Sequence, residues 1–195
     1  MKQSRTLVAI TGGIGSGKST ATAFIKELGY PVFSCDEEVI SLYKNRGILK
    51  TLKKEFPSAI KGKFFLSADK RKIAELCFSD KEKLLVLEKT LAFPALDRAI
   101  KKAKKHKGLV FIEVPLLFEC KVESLFDKVI VVKRDKKERI ESVKSRSALT
   151  EKEISDRINR QIDYDAEDFS SYTVIENSSD LPALRSAVVS TIEKM

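Results

Sequence analysis

The chain has 195 residues, 43% of them hydrophobic and 33% charged, with a formal net charge of +9 and three cysteines. That length accommodates one core with modest insertions or at most two small domains, and a single domain is the expectation. No run approaches the roughly 18 apolar residues of a membrane span, and residues 1–20 lack the pattern of a secretory signal. Cys35, Cys77 and Cys120, with His106 as the lone histidine, suit neither a disulfide framework nor a zinc site, so a cytoplasmic, reduced setting is expected.

In chain order, Thr6–Ile10 reads as a buried strand and Ala21–Leu28 as a helix, and between them stands Gly12-Gly13-Ile14-Gly15-Ser16-Gly17-Lys18-Ser19-Thr20. Gly12, four residues, then Gly17-Lys18-Ser19 satisfies G-x-x-x-x-G-K-[ST] in the strand-to-helix context that motif requires. Glycines let backbone N–H groups turn inward around a phosphate, and the helix N-terminus adds its partial positive charge. Gly13, Ile14, Gly15, Ser16, Gly17, Lys18, Ser19 and Thr20 are therefore the candidate nucleotide-binding residues, with Lys18 for the β- and γ-phosphates and the Ser19 hydroxyl for magnesium.

Next, Tyr30–Cys35 predicts a short second strand ending at Asp36. Ligands in open α/β sheets sit outside the carboxyl ends of the strands, so Asp36 is a candidate base or water-orienting group; the alternative is a helix cap for a helix starting near Glu37. Residues 39–105 read as mostly helical, with a break at Phe56-Pro57 and a loop near Lys61-Gly62-Lys63, which is too long for a simple crossover. Phe56, Phe64, Phe65, Leu66, Leu76, Phe78, Leu84, Leu85, Leu87, Leu91 and Phe93 are expected to line its apolar side. The basic run Arg98–Lys107 falls at the end of a helical pattern stopping at Gly108 and reads as a solvated face.

Leu109–Pro115 is the clearest later strand; its Glu113 is a candidate support for magnesium through water, as the second acidic position of phosphate-loop enzymes is. Phe126–Val132 and Tyr172–Ile175 complete the strands, and a terminal helix starts near Leu181. The intervening stretch from Lys133 to Phe169 reads as helical and highly charged, and is a candidate lid; Arg139 and Arg146 share a face if their helix continues. Strands alternating with helices favour a parallel α/β sheet. The positive charge allows nucleic acid or a small phosphorylated ligand as partner, and the absence of interleaved aromatics and of known nucleic-acid-binding motifs favours the latter.

Together these residues carry a resemblance. The loop Thr11–Thr20, Asp36 following Leu28-Gly29, the run Val114-Pro115-Leu116-Leu117-Phe118-Glu119, and Arg146, Arg157-Ile158 and Gln161 followed by Val174-Ile175-Glu176-Asn177 are similar to the dephospho-CoA kinase family over almost the whole chain. The resemblance implies a three-layer P-loop kinase fold with a parallel sheet, a helical substrate-binding insertion and a helical lid. The implied division is a core at about 1–38, 108–133 and 171–195, a substrate subregion at about 39–107 and a lid at about 134–170. It also implies that ATP, with Mg2+, phosphorylates the 3′-hydroxyl of dephospho-coenzyme A. Asp36 is then the base, Lys18 and the loop amides hold the ATP phosphates, Ser19 ligates magnesium and Arg146 comes from the lid. The expected partners are these two small molecules, without nucleic acid or membrane, in a monomer or weak homo-oligomer. The alternatives are another P-loop small-molecule or nucleoside monophosphate kinase, or a nucleic-acid-binding ATPase.

This chain departs from the family pattern at Ser34-Cys35 before Asp36, at Phe93-Pro94, at Glu167, and at Arg139 with Ser142, where the family has a Gln and an Arg three apart. Arg139 is the expected substitute, one turn earlier, for the cation that Ser142 lacks.

Overall fold

A computed structural model describes residues 4–78, 80–147, 150–178 and 180–195. In chain order the elements are β1 (Arg5–Thr11), α1 (Lys18–Glu27), β2 (Val32–Ser34), α2 (Cys35–Leu42), α3 (Arg46–Glu55), β3 (Ile60–Lys61), β4 (Ser67–Ala68), α4 (Lys70–Phe78), α5 (Lys81–Leu87) and α6 (Phe93–Ala103). There follow β5 (Gly108–Glu113), β6 (Lys128–Lys133), α7 (Lys136–Arg146), α8 (Glu151–Ile158), β7 (Thr173–Glu176) and α9 (Leu181–Glu193). No helix among the described residues is long and apolar enough to cross a membrane.

Backbone contacts divide the chain into two compact units, Met1–Phe33 with Ala103–Met195, and Ser34–Lys102. The first is built on a five-stranded sheet of order β2-β5-β1-β6-β7. β1 pairs in parallel with β5 on one side and β6 on the other, and β6 pairs in parallel with β7. Residues Leu7–Thr11 are buried in succession, as a parallel strand covered on both faces requires. One face packs Val8, Ile10, Phe111, Ile130, Val132 and Ile175 against Ala21 and Ile25 of α1 and Leu184, Val188 and Ile192 of α9.

The second unit holds its own core, with Leu42, Leu49, Leu52, Phe56, Ile60, Ile73 and Leu91 at its centre. Its helices start where sequence chemistry dictates: the Asn45 and Asp80 side chains accept the first amides of α3 and α5. A π-helical turn, Glu88–Ala92, joins α5 to α6.

Several elements differ from the sequence expectation. Cys35 begins α2 instead of closing the second strand. The loop at Gly62 is the turn of a small hairpin, β3 with β4, in which Gly62 takes φ 92° and a Cβ would meet the Phe65 carbonyl oxygen at 1.9 Å, so the turn needs glycine. Phe64 and Phe65 ride on that turn, 74% and 94% exposed, and Leu85 and Phe93 are also exposed, so these four do not line the apolar side; the Phe78 side chain lies outside the described ones. α6 ends at Ala103, not at Gly108, whose φ of 72° opens β5. The basic run thus spans the last turns of α6 and the loop after it, with Ala99 and Ala103 buried and the lysines exposed. The charged stretch after β6 stops being helical at Ile158; beyond it Asp163 folds the chain into a turn, its carboxylate accepting the Asp165 amide.

Candidate active site

β1 delivers the chain into the glycine loop with Thr11 fully buried, and α1 leaves it at Lys18. Gly12, Gly15 and Gly17 have φ values of 147°, 78° and 97°, conformations that L side chains rarely adopt. Space is equally restrictive, since a Cβ on Gly12 would stand 2.2 Å from the Val132 carbonyl oxygen and one on Gly17 2.3 Å from Asn177 Nδ2. The Lys18 ammonium donates to the carbonyl oxygens of Gly12 at 2.8 Å and Gly13 at 3.1 Å, which keeps the cation inside the loop's own curve.

Glu113, at the end of β5, is buried and faces the start of α1. Ser19 Oγ donates to its Oε1 at 3.0 Å and Thr22 Oγ1 to its Oε2 at 3.3 Å. A hydroxyl and a carboxylate in contact beside a phosphate loop form a hard-oxygen donor set that fits magnesium. Thr20 lies in the first turn of α1, its amide bonded to the Gly17 carbonyl.

Arg139, three residues into α7, is 3% exposed. Its Nη1 lies 2.0 Å from where a Gly13 Cβ would be, and its carbonyl oxygen 2.4 Å from the equivalent point on Gly15, so the helix packs directly on the loop. Asp165 Oδ2 accepts from its Nη2 at 3.0 Å, while its Nε is buried with no hydrogen-bond partner among the described residues. A buried guanidinium with an unspent donor beside a phosphate loop fits an anionic ligand. Arg146 closes the same helix but is exposed, and its guanidinium folds back on Ser142, donating to the carbonyl at 3.0 Å and to Oγ at 2.6 Å. The two arginines therefore share a continuous helix yet differ in environment. Arg157 is exposed on α8.

Asp36 stands in the first turn of α2 with Glu37 and Glu38; Ser34 occupies the cap position ahead of it, so Asp36 does not cap that helix. It belongs to the Ser34–Lys102 unit, whereas the loop, Glu113 and Arg139 belong to the other.

Residues after α8 complete the loop. Gln161 Oε1 accepts the Ile14 amide at 2.6 Å, and Glu119 Oε1 accepts the Ile162 amide at 2.9 Å. The buried Tyr164 hydroxyl lies 3.2 Å from Thr11 Oγ1, and burial pushes its pKa up to about 12, so it stays protonated at neutral pH. From the end of β7, Asn177 Nδ2 donates to the Ser16 carbonyl at 2.8 Å. Gln161, Glu119 and Asn177 are in the sequence motifs without an assigned contact, and nothing in the sequence singles out Tyr164 or Asp165. A separate cavity of about 540 Å³, lined by residues such as Glu123, Lys128 and Thr173, lies at the opposite, N-terminal ends of β6 and β7.

The dephospho-CoA kinase family model matches residues 6–183. The chain belongs to the dephospho-CoA kinase family. It is 32% identical over 191 residues to a Thermus thermophilus dephospho-CoA kinase, covering 97% of this chain and 91% of the relative. It is 33% identical over 195 residues to the dephospho-CoA kinase of Bartonella quintana, covering 97% of each. A crystal structure from Thermus thermophilus superposes with a TM-score of 0.85 at 31% identity and 99% coverage of both chains. The three-layer P-loop kinase fold is thus that of a dephospho-CoA kinase, and the chain is an ATP-using enzyme of that family.

The two glycines packed against Arg139 separate stability from activity in this dephospho-CoA kinase scaffold. Gly13 has an ordinary φ, and the atom a new methyl would strike is the far end of a flexible side chain. Gly13→Ala is expected to unseat the buried guanidinium and lower kcat about 10²-fold, with a smaller loss of melting temperature than Gly15→Ala. Gly15→Ala forces a methyl onto backbone at φ 78° and is expected to lose about 1–3 kcal/mol of stability. Thermal melting and steady-state kinetics of the pair check both; equal melting temperatures would remove the distinction.

Proposed function

We propose that the chain transfers the γ-phosphate of ATP to the 3′-hydroxyl of dephospho-coenzyme A, forming coenzyme A and ADP. The observation that carries this reading is a complete phosphate loop, with Ser19 on Glu113 and a buried Arg139 on Gly13, in a chain that the dephospho-CoA kinase family model matches from residue 6 to residue 183.

In the proposed reaction Lys18 and the amides of the Gly13–Thr20 loop hold the ATP phosphates, while Gln161 takes the Ile14 amide and the Gly13 and Gly17 carbonyls take those of Ser16 and Thr20. Asp36 takes the proton of the 3′-hydroxyl as its oxygen attacks the γ-phosphorus, and the bond to the β–γ bridging oxygen breaks to release ADP. Ser19, and Glu113 through water, would hold magnesium, which would supply charge neutralisation at the phosphate oxygens. Arg139 supplies a fixed cation beside Gly13, and Arg146 a second from the surface of α7, matching the charge that spreads over the transferred group. We assign the unit Ser34–Lys102 to the acceptor and residues 134–170 to a lid over the donor.

The test is direct. The purified chain with ATP, Mg2+ and dephospho-coenzyme A is expected to form coenzyme A and ADP in equal amounts, and omission of Mg2+ is expected to stop the reaction. ADP formation on a nucleoside monophosphate or another hydroxylated acceptor, with none on dephospho-coenzyme A, would overturn the reading.

A further inference from the structure

The phosphate loop is braced by a short segment of which only Gln161 belongs to a sequence motif. Residues 161–165 reach it at three points: Gln161 at the Ile14 amide, Tyr164 at Thr11, and Asp165 through Arg139 at Gly13. The segment is itself rigidly formed, because Asp163 accepts the Asp165 amide on its carboxylate and the Ala166 and Glu167 amides on its carbonyl. Its aromatic side is locked by Tyr164 stacked on Phe169 at 5.5 Å and by Phe118 against both.

Arg139 is the unusual member of this arrangement. It is a buried cation held by a single monodentate carboxylate whose own side chain is 42% exposed. A carboxylate present only to neutralise a buried guanidinium gains most by engaging it through two parallel bonds. Here Nη2 is engaged, Nη1 lies along Gly13, and Nε has no partner among the described residues. One end of the fork is anchored at Nη2, and Nη1 is the nitrogen that lies against the loop.

We propose that Asp165 is the positioning residue for Arg139, anchoring one end of its guanidinium so that the rest is presented along Gly13 to the transferred phosphoryl group. The inference rests on the phosphoryl-transfer reading above and adds a residue that acts only through another. It accounts for the chain's departure at positions 139 and 142: an arginine one turn earlier works because a carboxylate on the braced segment aims it, whereas Ser142 is occupied by Arg146.

The experiment compares Asp165→Ala in the wild-type and Arg139→Ala backgrounds, with kcat and both KM values read from coenzyme A formation and folding read from thermal melting. In the wild-type background the loss of kcat is expected to be about 10- to 100-fold, the range for partners that orient a ligating group, with the KM for dephospho-coenzyme A unchanged. In the Arg139→Ala background, Asp165→Ala is expected to add no further loss. Equal losses in the two backgrounds, or no loss in either, overturn the proposal. If Asp165→Ala does not fold, Asp165→Asn in the same two backgrounds decides by the same comparison. Wild-type protein that makes no coenzyme A overturns the functional reading; wild-type activity with additive losses overturns this inference alone.

Discussion

Asp36→Asn is expected to lower kcat for coenzyme A formation on the order of 10³-fold while leaving ATP affinity within a factor of about two. A positioned base contributes about 10²- to 10⁴-fold to such a step, and a ribose hydroxyl is a poor nucleophile until its proton has somewhere to go. Asparagine has the size and shape of the carboxylate, and the position is inside the first turn of α2 and not at its cap, so the substitution removes a charge without removing a cap. The residues proposed to hold ATP, from Gly13 to Thr20 with Glu113 and Arg139, are in the other unit, which is why ATP binding is expected to survive. Steady-state kinetics with calorimetric titration of ATP separates the two effects. Retention of kcat within a few-fold would remove Asp36 as the base.

Lys18→Ala is expected to cost about 10²- to 10³-fold in kcat and to raise the KM for ATP, the scale set by losing one preorganised group that meets developing charge. Two causes act together. The substitution deletes the cation assigned to the β- and γ-phosphates, and it also leaves the Gly12 and Gly13 carbonyls without the ammonium that bridges them. Lys18→Arg is not expected to rescue it: the side chain is buried, and a planar guanidinium is larger than the compact ammonium those two carbonyls enclose. Unchanged kcat and ATP KM in Lys18→Ala would show that the loop amides suffice without it.

The loop and the central strands were legible because their signals are local. An apolar run interrupted by Gly12, Gly13, Gly15 and Gly17 has few other uses, and a carboxylate at the end of the Leu109–Ile112 run falls at a strand end in any parallel sheet. β3 and β4 were not, since two residues each with Ser67 and Lys61 facing water carry no alternation to read. The turns after Ile158 were hidden for a related reason. Asp163 and Asp165 look like solvated helix charges until the Asp163 carboxylate is seen to accept a backbone amide.

Arg139 illustrates a different obstacle. Between Lys133 and Arg160 there are ten lysines and arginines, and composition assigns all of them to the surface. What buries this one is Gly13 and Gly15, whose missing Cβ atoms admit the guanidinium and the α7 backbone. The information lies in a pair of positions more than a hundred residues apart, which neither periodicity nor a local motif contains.

The braces on the loop also bear on how the chain is made. The Ile14 amide waits for Gln161, Thr11 for Tyr164, and the Ser16 carbonyl for Asn177, partners separated by 147, 153 and 161 residues. Contacts of such sequence separation form late, after the intervening chain has been ordered. During synthesis on the ribosome the glycine loop emerges before all three of these partners, and it acquires these braces only once they have been made. A nascent chain halted before Gln161 carries the entire G-x-x-x-x-G-K-S motif and none of these three partners.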